Sequence, residues 1–257
     1  MNTPVVDFHN HVGSWGRCGF LAYPDRYVRI MDAAGVDKAC INCIGFGDAS
    51  HGNDLVASFV EKYPDRFVGV AFVTPHYPEE AIPELDRAFG KLDMKYLKIY
   101  PDYFGKPQDD PAYFPIYEWC NDRKITVMSH AAFRFDHEKV TIPRRYEELH
   151  KRFPQISWVL AHEGAGREPP KPPGSIEAAC SIPNVYLETA AAWGVHGQFE
   201  TIVEAVGADR ILYGSDMPLF DARNQVGRIV TANISDDDKK KILGLNAIKL
   251  LGLKMET

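Results

Sequence analysis

Val5-Val6-Asp7-Phe8-His9-Asn10-His11 ends the first apolar run of the chain on two histidines one residue apart. In an extended segment, side chains at i and i+2 share a face. The two imidazoles therefore stand roughly 6 to 7 Å apart at the backbone, the spacing that two ligands of one metal ion require. Three further candidates, His130, His162 and Asp216, each stand at or just beyond the end of a later apolar run. Only a fold that gathers strand ends onto one rim brings all five together.

The rest of the chain has that periodicity. Apolar runs at 5–9, 38–44, 66–72, 96–99, 125–129, 157–161, 185–189 and 210–213 read as strands. Amphipathic stretches at 24–34, 50–63, 78–90, 111–122, 141–152, 174–181, 197–207 and 235–251 read as helices. Eight strand–helix repeats at intervals of about 30 residues predict an α/β fold, a slightly distorted (β/α)8 TIM barrel. Local chemistry agrees at several boundaries. Ser235 is an N-cap followed by Asp236, Asp237 and Asp238 in the first turn, where carboxylates favour the positive helix end. Pro64 and Pro154 stop helices and turn the chain into strands. No linker or shift of composition marks a second domain, so residues 1–257 are read as a single barrel. Arg167 to Gly174, rich in proline, reads as a stiff loop after strand six.

Composition narrows the partners. The net charge of −6 is spread along the chain, with no basic tract or acidic tail. A small-molecule substrate is expected rather than nucleic acid or a membrane surface. The N-terminus has no charged leader ahead of an apolar stretch, and no apolar run is long enough to cross a bilayer. Five scattered cysteines do not make a disulfide scaffold, and reduced thiols fit a cytoplasmic protein. Cys40 and Cys43 form a CxxC, but period two puts them on opposite faces of a strand. They are read as core residues rather than as a redox pair or half a zinc site.

Imidazole nitrogens and a carboxylate oxygen make a borderline-soft set. Zinc is the first expectation for one divalent ion, with Mn2+, Fe2+, Co2+ and Ni2+ as alternatives. His9, His11, His130 and Asp216 are assigned to the metal. His162 is left as an unmetallated acid, base or hydrogen-bond donor beside the open position. A second ion needs a bridging carboxylate, for which Lys98 after carbamylation is the positional candidate. Each of these residues also has a bland reading as a cap, a satisfied core group or an ion-pair partner.

The same residues carry a family resemblance. Asp7-Phe8-His9-Asn10-His11, Ser129-His130, Ala161-His162-Glu163-Gly164-Ala165-Gly166, Gly214-Ser215-Asp216-Met217-Pro218 and the closing Leu245 to Leu251 segment resemble the amidohydrolase superfamily. The resemblance is to its amidohydrolase-2 branch, which includes aminocarboxymuconate-semialdehyde decarboxylase and γ-resorcylate decarboxylase. It implies a distorted barrel with one divalent metal on His9, His11, His130 and Asp216, and a proton-transfer or substrate-activating role for His162. Glu163 stands where that branch commonly has glycine. Enzymes of the family are often dimers, so a homodimer is allowed.

The main expectation for the reaction is hydrolysis of an ester, lactone or amide of a small carboxylated substrate. In that scheme metal-activated water attacks, Asp216 takes the proton and His162 supports the oxyanion. The alternative is non-oxidative decarboxylation of a small aromatic or unsaturated acid on the same ligands. Arg17 and Arg134, in rim loops, are candidate carboxylate forks. Tyr100, Trp15 and Trp193, with Tyr103 and Phe133, are candidate pocket walls. A catalytically dead barrel used as a scaffold requires loss of a ligand, and all four are present.

Overall fold

The computed structural model describes residues 3–13, 23–44, 48–130, 142–164, 173–192 and 196–254. Eight parallel strands follow one another in sequence order around the sheet: β1 (Val6–His11), β2 (Lys38–Asn42), β3 (Phe67–Phe72), β4 (Tyr96–Ile99), β5 (Val127–Ser129), β6 (Trp158–Leu160), β7 (Val185–Glu188) and β8 (Ile211–Leu212). Helices alternate with them: α1 (Pro24–Ala34), α2 (Ala49–Lys62), α3 (Pro78–Gly90), the single turn α4 (Pro101–Phe104), α5 (Phe114–Arg123), α6 (Ile142–Arg152), α7 (Pro173–Ser181) and α8 (Gln198–Val206). This is the (β/α)8 barrel that the sequence predicts. Among the described residues, no helix is long and apolar enough to cross a membrane.

Period two divides strands β2 to β8 between two cores. Outward residues such as Ile41, Leu97, Ile99, Trp158, Leu187 and Tyr213 pack under the helices. Inward residues Val6, Phe8, Cys40, Val68, Val70, Tyr96, Met128, Val159 and Leu212 fill the barrel. Cys40 lies in the inner cluster and Cys43 in the outer one, both buried as free thiols. Continuing the inward rows toward the carboxyl ends of the strands changes their chemistry, because Asn42, Lys98, His130 and Glu188 succeed the apolar residues two positions earlier.

β1 breaks the alternation, and the break matters. Asp7 pairs with Ala39, but Asn10 pairs with Ile41, so Phe8 and His9 together oppose Cys40. Strict alternation from Val6 and Phe8 would turn Asn10 inward and His9 and His11 outward. The bulge shifts the parity by one, and both histidines enter the barrel mouth. The same place is the barrel's seam. β8 has no full ladder with β1; Phe8 N–H bonds Tyr213 O at 2.8 Å, Asp216 N–H bonds His9 O at 2.8 Å, and Asn10 forms a parallel bridge with Met217.

Two features of the C-terminal part differ from the sequence reading. Residues after β8 form a further helix, α9 (Ala222–Val230), capped by Asp221, whose side chain accepts from Arg223 N–H at 3.0 Å. The closing helix is also interrupted: α10 (Asp236–Lys240) and α11 (Asn246–Leu251) flank a π turn at Lys241–Leu245. Ser235 caps α10 by accepting from Asp238 N–H at 3.1 Å. Beside that turn, the Ile242 carbonyl accepts from Tyr213 N–H at 3.0 Å. A Cβ on Gly244 would run into the Pro4 carbonyl, so only glycine lets this helix lie so close to the chain entering β1. Ala247 then plugs the floor of the barrel.

Candidate metal centre

At the open end, His9 Nε2 and His11 Nε2 lie 3.8 and 2.7 Å from Asp216 Oδ1, all three side chains being buried. Ligands around a tetrahedral ion at about 2.1 Å stand roughly 3.4 Å apart, so these separations bracket what one cation requires. A buried carboxylate oxygen facing two imidazole nitrogens is a donor set suited to a divalent ion. Burial opposes charge on Asp216, but His11, aided by His162 and Lys98, holds the carboxyl well below its ordinary range.

A second layer sets the first. His9 Nδ1 is 2.9 Å from Glu188 Oε2 at the end of β7, and His9 Nε2 is 3.1 Å from Lys98 Nζ on β4. Burial, reinforced by Lys98 and His11, keeps His9 far below the usual histidine pKa and therefore neutral. Burial also pushes Lys98 down and Glu188 up, each shift opposed by the other's charge. His11 Nδ1 is 3.4 Å from the Tyr100 hydroxyl, which accepts from Asn42 Nδ2 at 2.5 Å.

His162 follows β6 in a short turn (Ala161–Gly164) where His162 and Glu163 have φ values of 58° and 54°. That backbone favours glycine, which explains why glycine suits the second position; here Glu163 is buried and paired with Arg228 Nη1 of α9 at 2.5 Å. His162 Nδ1 is 2.8 Å from Ala190 O, so this nitrogen carries the proton and Nε2 is left as an acceptor. Burial pushes His162 down to about 3 against the pull of Asp216. Asp216 is also left-handed, at φ 66°, and precedes the cis Met217–Pro218 peptide.

The structure thus brings His9, His11 and Asp216 into one group, and His9, His162 and Glu188 into another. His130 joins neither. Its ring packs against His162 and Tyr103, each at 5.0 Å, and its N–H continues the ladder to Ile99 O. Tyr100 is fully buried, against His11 and Phe72, whereas Tyr103 is 41% exposed. Arg17, Arg134, Trp15, Trp193 and Phe133 lie outside the described residues. Sequence reasoning missed Glu188 and the contact of Lys98 with His9. The signal was there: each is the polar residue two places after an inward Tyr186 or Tyr96.

The seam is locked by a polar cluster outside the barrel. Asp7 Oδ1 accepts from Ser215 N–H at 2.9 Å and from His9 N–H at 3.3 Å. Ser215 Oγ donates to Asn10 Oδ1 at 3.0 Å, and the single Tyr27 hydroxyl proton lies between the carbonyls of His11 and Met217. One oxygen of Asp7 therefore ties the segments that carry His9 and Asp216, while Oδ2 has no partner among the described residues. Asp7→Asn keeps that acceptor and should hold stability near neutral pH. Asp7→Ala strands two buried N–H groups and should cost roughly 2 to 4 kcal/mol in urea unfolding. Burial raises Asp7 from 3.8 to about 6, against the hydrogen bonds from Ser215. The folded state then holds the proton more tightly than the unfolded one, so this group's contribution is fully present below pH 3.8 and is lost as pH rises through about 6. The window is worth roughly 3 kcal/mol. Asp7→Asn should flatten the pH dependence of stability across it.

Residues 44–253 match the family model described as Amidohydrolase. A 2-amino-3-carboxymuconate-6-semialdehyde decarboxylase of Dictyostelium discoideum is 25% identical over 242 residues, covering 80% of this chain and 66% of the relative, so the chain spans just under two thirds of that protein. A gamma-resorcylate decarboxylase of Polaromonas sp. is 24% identical over 297 residues, covering 92% of this chain and 90% of the relative. Among solved structures, a Polaromonas dihydroxybenzoic acid decarboxylase with bound manganese and the inhibitor 2-nitroresorcinol shares the fold. Its TM-score is 0.77 at 20% identity, covering 98% of this chain and 97% of the other. These findings overturn the expectation of ester, lactone or amide hydrolysis: both relatives are decarboxylases, which matches the alternative. Sequence could not choose, because one cation seat serves both chemistries.

Proposed function

We propose that this chain, which belongs to the amidohydrolase family, is a metal-dependent non-oxidative decarboxylase of a small aromatic or unsaturated acid. The observation that carries the choice is that two relatives, aligned over 80% and 92% of the chain, are both decarboxylases. The donor set of His9, His11 and Asp216 supports a single divalent ion, with His130 as the further ligand. When bound, that ion supplies a Lewis acid for a carboxylate or hydroxyl oxygen of the substrate. Manganese in the dihydroxybenzoic acid decarboxylase supports testing Mn2+ first, beside Zn2+.

The protein's own groups handle the proton. Asp216, ionised in the free site, takes up one proton from solvent as the substrate binds. The bond between the substrate carbon and its carboxylate breaks, CO2 leaves, and the electron pair left on carbon takes that proton from Asp216 to form a C–H bond, which leaves Asp216 ionised again. His162, its Nδ1 committed to Ala190 O, offers Nε2 to a substrate hydroxyl. Arg17 and Arg134 are the proposed anion contacts, with Trp15 and Trp193 as walls. Tyr100, buried against His11, acts by positioning that ligand.

A panel of hydroxybenzoates and carboxylated muconate semialdehydes tests this reading. CO2 release should appear with Mn2+ or Zn2+, vanish with chelator and return on adding metal. Turnover of the acids without CO2, or none by metal-loaded protein across the panel, contradicts it.

A further inference from the structure

Glu188 is a carboxylate that no substrate can reach, fully buried behind His9. Three nitrogens converge on it. Ala190 N–H donates to Oε1, while His9 Nδ1 lies 2.9 Å and His162 N 3.4 Å from Oε2. On the far side of the His9 ring, Lys98 Nζ stands 3.1 Å from Nε2. Both Glu188 oxygens already face backbone N–H donors, so they act as acceptors, and an acceptor at Nδ1 with the Lys98 amine at Nε2 asks for one imidazole: proton on Nδ1, lone pair on Nε2. Gly214 belongs to the arrangement, because a Cβ there would overlap the Glu188 carboxylate.

We infer that Glu188 is a positioning residue that fixes the His9 tautomer and so keeps Nε2 available as the donor atom for the cation. The inference deepens the metal reading above and rests on it for its consequence, though the tautomer itself is a property of the metal-free protein.

Both carboxylate oxygens are in use as acceptors, and this makes the glutamate specific. In Glu188→Gln one oxygen becomes an NH2 group. Ala190 N–H has no alternative tautomer and claims the remaining carbonyl oxygen, so the NH2 faces His9 Nδ1. His9 must then accept at Nδ1 and carry its proton on Nε2, from which Lys98 Nζ has to turn away, and there the proton blocks a metal.

The test is long-range 1H–15N correlation of the histidine rings in metal-free wild type and Glu188→Gln, with His9 assigned by its loss in His9→Gln. Mn2+ titration of both metal-competent forms follows. Wild type should show Nδ1–H and the variant Nε2–H, with Mn2+ bound about 10- to 100-fold more weakly by the variant. Nε2–H in wild type overturns the inference, and so does a variant that keeps both Nδ1–H and wild-type affinity. If the variant does not fold, the wild-type spectrum decides. Wild type that shows Nδ1–H but binds no Mn2+ upholds the role of Glu188 and defeats the metal reading instead.

Discussion

Asp216→Asn is expected to lower kcat/KM for CO2 release by roughly 10³- to 10⁴-fold while the protein stays folded. Asparagine has nearly the same volume and tolerates the left-handed backbone at φ 66°, so the seam and the turn into α9 should survive. What is lost is the charge beside His11 and His9, together with the oxygen proposed to pass a proton to substrate carbon. Paired measurements separate the two parts. Mn2+ affinity reports the ligand, and kcat at saturating Mn2+ reports the proton carrier. A variant with near wild-type kcat would remove Asp216 from the chemistry.

Gly214→Ala should lower stability by roughly 3 kcal/mol in urea unfolding. One added methyl would press on the Glu188 carboxylate and approach within 3.0 Å of His9 Cβ, with fully buried strands on either side. Neither neighbour can retreat cheaply, because Glu188 is held by Ala190 N–H and His9 by the bulge hydrogen bonds. The same displacement should weaken Mn2+ binding. An alanine variant with an unchanged urea midpoint and unchanged Mn2+ affinity would show that β7 and β8 are not interlocked at this point.

Much of this architecture is legible in the residues. The eight apolar runs and the prolines that end helices give the barrel, because strand and helix periods are local properties. Placement of His9, His11 and Asp216 at strand ends predicts their meeting. The β1 bulge is not legible: alternation in Val6-Asp7-Phe8 gives way to the polar run His9-Asn10-His11, and only pairing with Cys40 shows which parity points inward. Glu188 is hidden for a different reason, since a carboxylate after Leu187 looks like a solvated strand end until β7 is closed against β8. Helix α9 gives a weak signal in the residues, because its stripe is short and carries Gly227, which disfavours a helix. The choice between hydrolysis and decarboxylation has no local signature, because both use one cation and one proton carrier.

The most direct test of the central claim is anomalous diffraction at the manganese edge from crystals grown with Mn2+. A single peak within about 2.5 Å of His9 Nε2, His11 Nε2 and an Asp216 carboxylate oxygen is the predicted result. No peak at the barrel mouth, or one coordinated without His9 and Asp216, would contradict it.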